Sequence, residues 1–148
     1  MLKILIPVDG SSHAMLAVHH ALRLVGAGLK ARFVVANVQE AANLYELVVA
    51  HDPVVLQQVS EAAGRDLVRP AVELLSAAGL QVEQAVASGD PANMLVEILE
   101  THACDAVVMS TRGSGLRAAV LGSVSQEVVQ LSTVPVTLVR VPEDAQPD

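Results

Sequence analysis

Four short apolar runs and a fifth, alternating segment at 80–87, separated by longer stretches whose apolar positions recur at spacings of three and four, limit this chain more than any other feature. Lys3–Val8 is too short for a helix and rich in Ile, Leu and Val, so it reads as a buried strand. Ser11 or Ser12 can cap the next segment, in which Met15, Val18, Leu22 and Val25 set one helical face before Gly26 and Gly28 stop it. Arg32–Val38 is a second strand, an apolar run interrupted by Asn37. Residues 39–53 carry no clear period. Beyond them Leu56, Val59, Ala63, Leu67, Ala71, Leu74 and Ala78 make a long helical stripe ending at Gly79, within which Pro70 should kink or divide the helix. Leu80–Ala87 is a third strand. Asp90–Pro91 is an N-cap followed by proline at the first helical position, continued by Leu95, Ile98, Leu99 and His102. Ala106–Met109 is a fourth strand, and Ser110–Leu121 a loop with Gly113 and Gly115. Ser123 with Gln126 has the capping-box pattern and opens a helix through Val124, Val128 and Leu131. Pro135–Val141 is the last strand.

Strands alternating with helices are the mark of a parallel sheet covered on both faces. Right-handed crossovers then give an α/β fold: a single doubly wound five-stranded parallel sheet, strand order 3-2-1-4-5, helices on both faces. A length of 148 residues suits one such domain over residues 1–142, with 143–148 as a frayed polar tail. Hydrophobic residues make up 52% of the chain, yet Phe33 and Tyr45 are its only aromatics, so Val, Leu, Ile and Ala must build the core.

No apolar run approaches the roughly 20 residues of a membrane span. Pro7 and Asp9 interrupt the first apolar run too early for a secretory signal. The lone Cys104 cannot form an internal bridge, which suits a reducing compartment, so a cytoplasmic location is expected. A net charge of −7 argues against nucleic-acid or anionic-membrane partners. It leaves room for a small anion, since Ala106–Gln126 holds Arg112 and Arg117 and no acidic residue.

In an open parallel sheet, ligands bind outside the carboxyl ends of the strands where the winding reverses. With strand 1 central, the reversal falls between strands 1 and 4. The loops leaving them are Pro7-Val8-Asp9-Gly10-Ser11 and Met109-Ser110-Thr111-Arg112-Gly113-Ser114-Gly115. The second feeds a helix starting near Gly122–Ser123, whose free N–H groups favour an anion. Each part also has an ordinary role. Asp9 can cap its own loop, Gly113 and Gly115 can turn the chain, Ser123 with Gln126 can cap a helix, and the arginines can be solvated.

Lys3-Ile4-Leu5-Ile6-Pro7-Val8-Asp9-Gly10-Ser11 resembles the opening strand and loop of universal stress proteins. Ser110-Thr111-Arg112-Gly113 followed by Leu121-Gly122-Ser123-Val124-Ser125 resembles their nucleotide-binding signature, and Val134-Pro135-Val136-Thr137-Leu138-Val139 their closing strand. The resemblance implies an adenine nucleotide, with ATP favoured. Asp9 and the Pro7–Val8 backbone would meet its adenosine end, and Val38 and Met109 would line the base. Ser110, Arg112, Gly113, Gly122, Ser123, Val124 and Ser125 would hold ribose and phosphates. It also implies a homodimer through Val136, Leu138 and Val139 of the last strand. Two departures stand out: Ser110 occupies the signature's first glycine position, and the eight residues between Gly113 and Gly122 are one fewer than the signature has.

Other classes fit less well. A receiver domain needs a lysine near its last strand, whereas the only lysines are Lys3 and Lys30. A flavodoxin-like carrier stacks aromatic residues on its flavin. An enzyme would need a constellation that is missing. His13, His19, His20, His51 and His102 are scattered, with His13 and His20 off the apolar stripe and expected at the surface, and Cys104 reads as a buried packing residue. No catalytic or metal residue nominates itself. The expectation is a cytoplasmic stress-adaptation regulator binding an adenine nucleotide without committed catalysis. The alternative is a homodimeric interaction module that binds no nucleotide.

Overall fold

The computed structural model describes residues 1–40, 53–111 and 122–140. Its elements run β1 (Leu2–Pro7), α1 (Ser12–Gly26), β2 (Ala31–Gln39), α2 (Pro53–Ala77), β3 (Val82–Ser88), α3 (Pro91–Thr101), β4 (Ala106–Ser110), α4 (Ser123–Leu131) and β5 (Val136–Val139). The five strands form one sheet in the order β3-β2-β1-β4-β5, with every neighbouring pair parallel. The doubly wound α/β architecture expected from the alternation is the one observed. The tail 143–148, Val141 and the unassigned 41–52 lie outside the described residues, as do Arg112, Gly113, Gly115 and Arg117.

Successive side chains on a strand point to opposite faces, so each strand supplies two cores. Ile4, Ile6, Val8, Phe33, Val35 and Val108 pack against α1 and α2. Leu5, Val34, Ala36, Val107 and Met109 pack against α3 and α4. A sheet buried on both sides needs continuous rather than alternating apolar runs, which is why β1, β2 and β4 read so plainly.

The helices lie closer to the sheet than their larger residues suggest. The buried positions of α1 are His13, Ala14, Ala17, Val18 and Ala21, while Met15, Leu22 and Val25 pack around the edge of that contact. His13, expected at the surface, is 1% exposed. The long helix is rotated in the same sense. Ser60, Gly64, Val68, Ala71 and Leu75 form its buried face, with Val59, Ala63, Leu67 and Leu74 only half-buried beside it. Small residues allow this approach: a Cβ at Gly64 would run into the Val86 side chain of β3.

Pro70 does not divide α2, which continues from Pro53 to Ala77. Pro70 and Asp66 are both exposed, so water can satisfy the Asp66 carbonyl that loses its donor, and the ring projects from the sheet-distal face. The capping box at Ser123 is also absent. Gly122 is the N-cap of α4, with no side-chain cap bond, and Ser123 is already the first helical residue.

Candidate functional site

Beyond Pro7 the central strand leaves the sheet while its neighbours continue. β1 pairs with β2 as far as Pro7↔Ala36 and with β4 only at Ile4↔Ala106 and Leu5↔Val107. A gap therefore opens between the ends of β2 and β4, at the point where the winding reverses.

The departing chain is held in a turn. An oxygen of Asp9 (Oδ1) accepts from the Ser11 N–H at 3.0 Å, Gly10 adopts φ +86°, and Ser11 Oγ accepts from Ala14 N–H to cap α1. Asp9 thus does its structural duty with one oxygen, and among the described residues no partner takes the other. On the β2 side, Val8 N–H donates to Ala36 O at 2.8 Å, the last backbone bond between these strands. The Val8 carbonyl instead accepts from the side-chain amide of Asn37, at 2.9 Å.

Backbone groups along β2 alternate in direction. Phe33 N–H donates to Gln81 O, and Gln39 O accepts from Gly89 N–H, so these residues face β3. Ala36 faces β1, and Val38, two residues on, faces the same way into the gap that β1 has vacated. Its N–H and C=O form an adjacent donor and acceptor there.

The far wall comes from β4 and α4. Gly122 N–H donates to Thr111 O at 2.8 Å, and Ser125 Oγ shares its proton between the carbonyls of Ser110 and Thr111, each at 3.0 Å. These bonds fasten the start of α4 to the end of β4. The Thr111 hydroxyl is buried beside them and has no hydrogen-bond partner among the described residues, the kind of orphan a ligand can satisfy.

A cavity of about 180 Å³ fills the gap. Of the residues singled out from the sequence, Pro7, Val8, Asp9, Val38, Met109, Ser110, Val124 and Ser125 line it. Gly122 and Ser123 open α4 next to it without lining it. Sequence reasoning missed Ala14, Ala36, Asn37, Glu40, Pro91 and Leu95, which also line it. The amide of Asn37 within an apolar strand was the available signal; Pro91 and Leu95 carried none beyond their helix.

The cavity suits a flat, largely apolar group with a polar edge. Its volume is below the ~300–1,000 Å³ of pockets for drug-sized ligands, so it fits a heterocycle with the rest of a nucleotide lying outside. Asp9 and Glu40 are its charged lining residues among those described, which suits sugar hydroxyls better than phosphates. Another polar cluster lies at the opposite end of the strands. There His102 Nδ1 and Lys3 Nζ meet Glu83 at 3.0 and 3.5 Å. The hydrogen bond from His102, helped by Lys3, holds the Glu83 carboxyl below its ordinary value. Burial pushes the nearby Cys104 thiol up, as befits a packing residue.

Comparison with known proteins agrees with this architecture. The model of the universal stress protein family matches residues 1–140. Universal stress protein MJ0531 of Methanocaldococcus jannaschii is 27% identical over 142 residues, covering 95% of this chain and 83% of that protein. A universal stress protein solved in complex with cAMP superposes with a TM-score of 0.64 at 23% identity, covering 94% and 96% of the two chains. The Arabidopsis thaliana family protein At3g01520, solved with AMP bound, gives 0.69 at 18% identity, with both chains fully covered.

Proposed function

The chain belongs to the universal stress protein family, and from that premise we propose that it is a cytoplasmic, homodimeric regulator of stress adaptation that binds an adenine nucleotide without committed catalysis. What carries the reading is the gap beyond β1, where the free donor–acceptor edge of Val38 meets the spare oxygen of Asp9 in one apolar-walled cavity. An aminopurine offers a matching acceptor and donor on its edge. Val38 and Met109 would line the base, Asp9 the ribose. The phosphates would run toward Ser110, Gly122, Ser123, Val124 and Ser125, where the opening amides of α4 favour an anion. Arg112 and Gly113 are proposed for the same end on the resemblance alone. The relatives solved with AMP and cAMP support the class of ligand. ATP remains our preferred member of it.

The Val8 N–H is spent on Ala36 and its carbonyl on Asn37, so Val8 would contribute surface rather than backbone bonds.

The dimer is proposed through β5. Val107 N–H donates to Pro135 O, and Thr111 N–H to Val139 O, so Pro135, Thr137 and Val139 turn their backbone groups toward β4. Val136 and Leu138 point theirs outward along an open edge. Such an edge can pair with a second copy, and two-fold symmetry makes the contact self-complementary.

Calorimetric titration with ATP and with AMP tests the nucleotide. Binding by the wild-type chain that is lost in Asp9→Ala is expected, with stability lowered by only about 0.5–1.5 kcal/mol through the lost Ser11 N–H bond. No heat at millimolar ligand would favour the interaction module instead.

A further inference from the structure

Among the described residues the Val38 N–H, which faces the cavity, has no hydrogen-bond partner, although a ladder acceptor stands next to it. In a parallel pair the bonds recur every second residue, so after Val8 N–H to Ala36 O the next would run from Val38 N–H to Val8 O, and the one after that from Gly10 N–H to Val38 O. Among the described residues neither forms. Gly10 is carried away by its positive φ and by the Asp9–Ser11 turn. The Val8 carbonyl has not gone. It accepts at 2.9 Å from Asn37 Nδ2, a bond spanning 29 residues of sequence. Asn37 is 3% exposed, and its own Oδ1 accepts from Gln39 Nε2 at 2.5 Å, which fixes which end of the amide faces Val8.

From this we infer that Asn37 is a positioning residue that ends the β1–β2 ladder one step early: its amide draws the Val8 carbonyl out of line with the ladder and thereby keeps the N–H of Val38 available to a ligand in the cavity. The inference builds on the nucleotide reading only in its last clause. The amide does two things together. It satisfies a buried carbonyl that would otherwise be costly to leave without a donor. Because a carbonyl can accept twice, it also acts by turning that oxygen away from the one backbone N–H able to extend the sheet across the site rather than by filling it. An apolar residue of similar size would pack equally well and do neither.

Amide hydrogen exchange at Val38, read by NMR on the full chain, tests this directly. In the ligand-free wild type the Val38 amide should exchange close to the rate of an unstructured peptide, while Ala36 is strongly protected. In Asn37→Leu the freed Val8 carbonyl should recruit Val38, slowing its exchange by roughly 100-fold. AMP affinity, measured on the same samples, should fall tenfold or more. A purely structural role for Asn37 would lower stability without selectively protecting Val38. Asn37→Ser, whose side chain is too short to reach Val8, gives the same readout if the leucine variant does not fold. A protected Val38 amide in the wild type overturns the inference without any variant, and so does a Val38 amide that stays fast in a folded variant. If exchange behaves as expected and AMP does not bind, the ladder role stands and the nucleotide reading falls.

Discussion

Gly10→Ala is the perturbation whose cost the structure lets one build from two separate sources. Gly10 sits at φ +86°, where an L side chain is strained, and a Cβ there would lie 2.5 Å from Leu67 Cδ2 of α2. The backbone contribution is ~1–2 kcal/mol for a residue without Gly's freedom. The contact contributes roughly 1–3 kcal/mol, toward the lower end because the tip of a half-buried leucine can swing aside. Together they amount to about 2–4 kcal/mol, or a fall of roughly 6–12 °C in Tm for a domain this size. Urea unfolding of Gly10→Ala, Leu67→Ala and the double variant separates the sources. In the Leu67→Ala background the glycine substitution should cost only the backbone part, giving a coupling of ~1 kcal/mol or more. Equal costs in both backgrounds, within about 0.5 kcal/mol, would refute the contact. A Gly10→Ala protein as stable as wild type would refute the turn itself, and with it the orientation of Asp9.

Three further outcomes are expected. Ser125→Ala removes the buried donor that holds α4 to the Ser110 and Thr111 carbonyls; it should cost about 1–2 kcal/mol in urea unfolding and weaken AMP binding severalfold. Leu138→Pro deletes an outward N–H and should yield a folded monomer by light scattering, whereas Val139→Pro should destabilise the fold because that residue faces β4; a dimeric Leu138→Pro would move the interface elsewhere. Glu83 has a lowered folded pKa, so its pairing stabilises above the ordinary carboxylate range and that contribution is lost as pH falls through the folded value. Glu83→Gln should therefore lose less stability than wild type on acidification, by a margin that shrinks in high salt because the carboxylate is half-exposed.

β1, β2 and β4 were legible because strands buried on both faces demand continuous apolar runs; β3 and β5, at the sheet edges, are more exposed and gave weaker, alternating patterns. The helix faces were less so. Apolar spacing picked out Met15, Leu22 and Leu67, but close approach to the sheet favours Ala14, Ala17, Ala21, Ser60 and Gly64, and hydrophobicity alone does not separate a small contact residue from a surface one. His13 was misjudged because it lies off the stripe of larger apolar residues yet on the face of α1 that is buried. Of the two outcomes expected at Pro70, division of the helix does not occur: α2 runs unbroken from Pro53 to Ala77, with the orphaned carbonyl on its exposed side. At the site, Asp9, Met109 and Ser110 could be placed by topology, because loops at a winding reversal must converge. Asn37 could not be assigned a role, because its partner Val8 is distant in sequence and the bond depends on the β1–β2 register.

The most direct test is to follow backbone amide shifts of the full chain during titration with AMP. The expected changes cluster at Val8–Ser11, Val38, Met109–Thr111 and Gly122–Ser125, the two rims of the gap that β1 leaves open. Shifts confined to another surface, or none at millimolar nucleotide, would contradict the assignment of that gap as the binding site.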